Sequence, residues 1–390
     1  MVATVGAFVG VWLGIQGTFD PLSDGDRWWW LGNEGLEYLE AGRLWKLLLL
    51  VGFVGWTGLI ARGTGIGTDD GPLVGDGSQS GLGHLLVYAG GSIALLFATS
   101  TFYTPETNMA VTEFWRWWVV HMWVEGAFEF FMVAVVSVAL VGMNLLEQAE
   151  AEQAILFEVF TIMAAGIVGV SHHYWWAGLP DLRVPVETTF STLEFVPIVF
   201  VLYRAFGEYR SLAAQGADFP YSMAFLFIVG ATIWNFVGAG VLGFFLNIPV
   251  LNYYEHGTYL TLAHSHAAMF GAFGLLALGL GVYILRVVTL EAAWDPTWFR
   301  RSFWLSNVGL AVMVVGSLLP VGFLQLETVY EEGFAAARDL EFYEQPLVQR
   351  LSWVRLPGDS LVLCGALTFT GSALVHLRRA KEGKSRPTPA

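Results

Sequence analysis

Residues 258–285 read TYLTLAHSHAAMFGAFGLLALGLGVYIL, an apolar run whose only basic side chains are His264 and His266 and which holds no carboxylate. About 20 apolar residues, rising about 1.5 Å each, cross a hydrocarbon core of roughly 30 Å, so this run is long enough for a membrane helix. It decides the fold because the pattern recurs. Similar windows lie near 1–17, 43–61, 83–102, 115–142, 154–176, 187–204, 220–246, 302–323 and 359–377. The chain is 55% hydrophobic and only 13% charged, which places it among polytopic membrane proteins. The expected fold is therefore all-α: a membrane bundle of about ten transmembrane helices over residues 1–377, followed by a basic tail, 378–390.

The net charge of −14 speaks against a nucleic-acid partner. The single cysteine, Cys364, excludes a disulfide framework within the chain, a thiolate zinc site and covalent haem attachment, so any haem is held non-covalently. The tail beginning His376-Leu-Arg-Arg-Ala-Lys follows the last window directly, and the positive-inside rule puts it in the cytoplasm. Counting back through ten spans places Arg204, Arg210, Arg286, Arg300 and Arg301 on the cytoplasmic side as well.

Five of the eight histidines fall in the patterns His121-x-x-x-Glu125, His172-His173 and His264-x-His266, on three of these windows. Ionisable groups are expensive at membrane depth, and metal or haem iron is the partner that absorbs the expense. With the topology above, His121, His172, His173 and His264 all sit roughly 6 to 9 Å below the outer surface, and Glu194 reaches the same layer from a fourth helix. A group of satisfied interhelical histidines is the bland alternative, and five in these patterns with two carboxylates make it a poor one.

His121 and Glu125, four apart, share a helix face and can serve one ion, with His172 and His173 reaching it from another helix. Imidazoles with a carboxylate oxygen suit a divalent first-row metal and favour iron over copper, although zinc satisfies the same ligands. His264 and His266 face opposite sides of their helix, an arrangement that suits two haems flanking it, one of them beside the non-haem metal.

The stretches WWVVHMWVEGAFE (117–129), GVSHHYWW (169–176) and NYYEHGTYLTLAHSHAAMFG (252–271) resemble the large subunit of nitric oxide reductase, the branch of the haem-copper oxidase superfamily with iron in place of copper. The segment 31–45, LGNEGLEYLEAGRLW, is similar to the quinol-dependent type. The resemblance implies that His121, His172, His173 and Glu125 bind non-haem iron, His264 a high-spin b-type haem and His266 a low-spin b-type haem. It also implies roles for Glu129 and Glu194 in charge balance and proton supply. Glu37 and Glu40 fall where the family places acids near a calcium that bridges to haem propionates, with solvated loop glutamates as the competing reading. The oxygen-reducing members carry a tyrosine four residues after the first histidine, where this chain has Glu125.

The implied activity is reduction of two nitric oxide molecules to nitrous oxide at the outer side of the cell membrane, with electrons from quinol or another donor. The alternatives are an oxygen-reducing terminal oxidase, or an inactive remnant or assembly subunit. One departure from the family concerns the low-spin haem, which needs a second axial histidine. His84 and His376 lie at the cytoplasmic ends of their spans and His256 in an outer loop, so the expectation is that the first two core helices, with that ligand, belong to a segment or chain outside these 390 residues.

Overall fold

The computed structural model describes residues 2–20, 22–36, 39–65, 80–169, 173, 182–193, 196–216, 218–289 and 294–384. Among them the regular structure is helical, and pairing of extended backbone is limited to an isolated bridge, Asn33 to Ala41. The principal helices are α1 (Val2–Ile15), α2 (Arg43–Thr64), α3 (Gly81–Thr101), α4 (Met109–Gly142), α5 (Gln148–Gly169), α6 (Arg183–Leu193), α7 (Val196–Ala214), α8 (Ser222–Asn247), α9 (Tyr259–Val288), α10 (Thr297–Glu332) and α11 (Pro346–Lys381). This is a helical membrane bundle, as the hydropathy windows require.

Seven of these helices, α2, α3, α4, α8, α9, α10 and α11, are long and apolar enough to cross a membrane. The other three windows differ from expectation in instructive ways. The window at 1–17 yields a 14-residue helix, and the turn just beyond it places Gly17 in the left-handed region at φ +59°. The window at 154–176 lies partly in α5, which starts earlier and carries Glu150 and Glu152 near its beginning, and partly in residues outside those described. The window at 187–204 is divided between α6 and α7, with 194 and 195 outside the described residues.

The chain divides into two compact units, Met1–Val138 with Glu147–Glu194, and Ala139–Leu146 with Phe195–Ala390. In the first, Thr57 of α2 donates a hydrogen bond to the carbonyl of Gly90 on α3 at 3.0 Å, which ties the two helices. The segment leading into α2 is fixed by a buried ionic cluster. Glu34 accepts from Arg43 Nε at 3.1 Å and from Lys46 Nζ at 2.6 Å, and Lys46 also meets the Tyr103 hydroxyl at 2.8 Å. Arg43 spends its other nitrogens on the carbonyls of Thr101 and Tyr103, so each buried charge is both paired and hydrogen-bonded.

In the second unit, small residues permit close packing where lipid supplies no hydrophobic drive between helices. A Cβ at Gly309 of α10 would lie 2.7 Å from the Gly358 carbonyl oxygen of α11, and the Ser302 hydroxyl donates to the Gly365 carbonyl at 2.8 Å. These contacts run along an antiparallel α10–α11 pair, closed at one end by the Asp295 amide donating to His376 Nε2 at 3.1 Å.

Candidate metal centre

Between Trp118 and Ala127, α4 is wound as a π-helix, an expanded turn of the kind that gathers at functional sites. This stretch carries His121, only 1% exposed, and Glu125. His121 Nδ1 is 2.5 Å from Glu125 Oε2, and the same oxygen is 3.5 Å from His173 Nε2. The three donor atoms lie within 4.8 Å of one another, and among the described residues this is the one grouping of three or more histidine, cysteine or acidic side chains that could hold an ion.

The third donor is held by a ring stack. His173 lies parallel to the Trp117 indole, centroids 4.6 Å apart and planes 7° apart, while its edge meets the His121 ring at 5.1 Å. The Arg116 guanidinium sits 4.4 Å from the Trp117 ring and is anchored by Glu113 at 2.6 Å. Trp117, His121 and Glu125 follow at intervals of four, so one helix face supplies two donors and the platform for the third. Glu129, one further step along, is buried at 5% exposure.

In the second unit, His264 and His266 end the α-helical first turns of α9, and the next residues, Ala267–Gly274, are again π-helical. His264 Nδ1 is 2.8 Å from the Gly238 carbonyl, and His266 Nδ1 is 2.8 Å from the Leu262 carbonyl. A carbonyl accepts only, so both rings carry their proton on Nδ1 and leave Nε2 as the acceptor. Arg355 donates to His266 Nε2 at 3.1 Å, which agrees with that tautomer. Gly238 is required at its position: a Cβ there would lie 2.6 Å from the Ala268 amide nitrogen, so no larger residue lets its carbonyl reach His264.

The structure thus brings together His121, Glu125 and His173. His172, Glu194 and Glu37 lie outside the described residues, and Glu40 is exposed. Three features escaped the sequence reading. Trp117 was hidden by the tryptophan wealth of 115–123, although its spacing from His121 was available. Glu158, fully buried on α5, was the sole carboxylate in its window. Glu34, on the same 31–45 segment, is buried, whereas Glu40 is exposed. Outside the spans, burial pushes the Glu255 carboxyl up to about 8, against a hydrogen bond from Thr261 that favours its charged form. Burial, with Glu34 adjacent, raises the Tyr103 phenol above its ordinary value.

Residues 1–361 match the family described as Cytochrome C and Quinol oxidase polypeptide I. A nitric oxide reductase subunit of Stutzerimonas stutzeri is 30% identical over 295 residues, covering 73% of this chain and 58% of that protein. The chain therefore spans less than two thirds of the length of that relative.

Proposed function

The chain belongs to the Cytochrome C and Quinol oxidase polypeptide I family, the haem-copper oxidases, and on that premise we propose that it is the catalytic chain of a membrane nitric oxide reductase. The reaction is the joining of two nitric oxide molecules, with two electrons and two protons, to give nitrous oxide and water. The observation that carries this reading is Glu125 Oε2 between two imidazoles, 2.5 Å from His121 and 3.5 Å from His173. A carboxylate in that donor set suits iron and offsets its charge, and it stands where the oxygen-reducing members carry a redox tyrosine.

The donor set fits the group that the family implies. In this reading His121, His173 and Glu125, joined by His172, would hold the non-haem iron, and His264 and His266 would be the ligands of the high-spin and low-spin b-type haems. When bound, these irons would relay electrons from the donor and supply Lewis acidity toward nitrogen oxides. The chain itself does the rest. Trp117 fixes the ring plane of His173, and the Gly238 and Leu262 carbonyls fix the tautomers of His264 and His266. Glu129, buried a turn beyond Glu125, holds a proton for delivery, with Glu194 as its partner in supply. Glu37 and Glu40 keep the calcium role given above, and quinol is the electron donor.

The sidedness follows from charge. Arg286, Arg300 and Arg301 share the end of the second unit that the Asp295–His376 bond closes, together with Arg378 and Arg379, whereas α10 runs from those arginines to Glu331 and Glu332. The basic end faces the cytoplasm.

Purified protein with non-haem iron and b-type haem that consumes nitric oxide bears the reading out. Copper in place of iron makes the chain an oxidase, and absence of metal makes it a remnant or an assembly subunit.

A further inference from the structure

Along the outer face of α10 runs an open groove of about 560 Å³, within the roughly 300–1,000 Å³ range of small-ligand sites. Its polar end is formed by Thr297, Arg300 and Arg301, in the first turns of the helix. Its body is apolar, floored by Leu305 and by Leu361 of α11 and flanked by Trp304 and Val308, which are 58% and 48% exposed. These α10 positions recur every three or four residues, so they form a single stripe.

We propose that this groove binds an anionic phospholipid, its phosphate on Arg300 and Arg301 and an acyl chain lying along Trp304, Leu305 and Val308. Three observations select that occupant. The first is charge. Among the described residues neither guanidinium has a carboxylate partner, and Arg301 instead lies 4.3 Å over the Trp298 ring. Stacking uses the face of a guanidinium and leaves its N–H fork for an oxyanion. The Thr297 amide is not the donor, because Asp295 already accepts from it at 3.0 Å.

The second observation is length. From Thr297 to Val308 is about 16 Å at about 1.5 Å per residue, close to one leaflet of a core roughly 30 Å thick. The headgroup and tail regions of the groove therefore match those of a lipid standing in that leaflet. The third is the setting. The same end of this unit carries Arg286, Arg378, Arg379 and Lys381, and clustered basic residues draw anionic lipid to the surface around them. A zwitterionic lipid would set its own cation against the arginines, and an uncharged quinol would leave both without a counter-charge.

The test uses the full-length chain, stripped of lipid in detergent and offered equimolar phosphatidylglycerol and phosphatidylcholine, with bound lipid read by native mass spectrometry. The wild type is expected to retain phosphatidylglycerol with roughly thirtyfold preference, the size expected of two basic residues at an anionic surface. The R300Q/R301Q variant should lose that preference, and R378Q/R379Q, with the same charge removed at the same end, should keep it. Leu305→Trp leaves both arginines in place and fills the groove, so it should lose phosphatidylglycerol while remaining monodisperse. Equal retention of the two lipids by wild type, unchanged preference in R300Q/R301Q, or loss in R378Q/R379Q to the same extent would overturn the proposal. Displacement of the lipid by inorganic phosphate would show an anion site without an acyl seat, and displacement by a short-chain quinol would show a quinol site; either result also overturns it.

Discussion

Glu125 is the residue on which the chemistry turns, because a lone carboxylate oxygen touches both His121 and His173. Replacing it with glutamine keeps the shape and removes the negative charge. Glu125→Gln is expected to lower non-haem iron content and to cut nitric oxide consumption by more than the roughly 10- to 100-fold typical of outer-shell changes, with b-type haem content preserved. Element analysis beside the haem spectrum checks this. Trp117 acts one step away: it has no metal ligand to offer, and its ring plane lies parallel to His173. Trp117→Leu should weaken iron affinity by roughly tenfold, and Trp117→Phe should restore most of it, as read by competition with a chelator. Glu255 makes a pH-dependent contribution of a different kind. Its folded pKa, about 8, stands above the ordinary value of 4.5, so its contribution to stability is complete below about pH 4.5 and is lost progressively as pH rises to about 8. Glu255→Gln should flatten thermal stability across that window, and an unchanged slope would show that burial of this carboxyl is not what sets it.

Among elements, the expanded turns are what the sequence could not disclose. The apolar windows containing His121 and His264 announced helices, since their length and composition leave no other backbone able to satisfy itself in lipid. Their π-helical stretches depend on packing against neighbouring elements, and periodicity near 3.6 does not distinguish them. The ligand pairs within a helix were legible from spacing, as with His121 and Glu125. The Trp117–His173 stack joins residues 56 positions apart in the sequence and was not. The cluster of Glu34, Arg43 and Lys46 reads locally as a polar loop entering a helix, and only the fold shows that Tyr103 closes it over. Removing its one acid, as in Glu34→Ala, leaves two buried cations and should cost about 3–5 kcal/mol, measured by denaturant titration. Gly238→Ala tests helix contact in the second unit. Its new Cβ would meet backbone at 2.6 Å, so a loss of about 1–3 kcal/mol together with reduced haem retention is expected.

For the whole molecule, family membership rests on a match that spans residues 1–361, and metal-bound redox catalysis in a membrane is the part that the proposed function adds. In the proposed function the local donor set is what separates nitric oxide from dioxygen, so the test belongs at the metals. The most direct measurement is the metal inventory of the purified wild-type protein and of Glu125→Gln, by element analysis with parallel haem spectra. The account predicts non-haem iron in the wild type, its loss in the variant, and haem retained in both. Copper bound at His121 and His173, or iron that survives the removal of Glu125's charge undiminished, would contradict it.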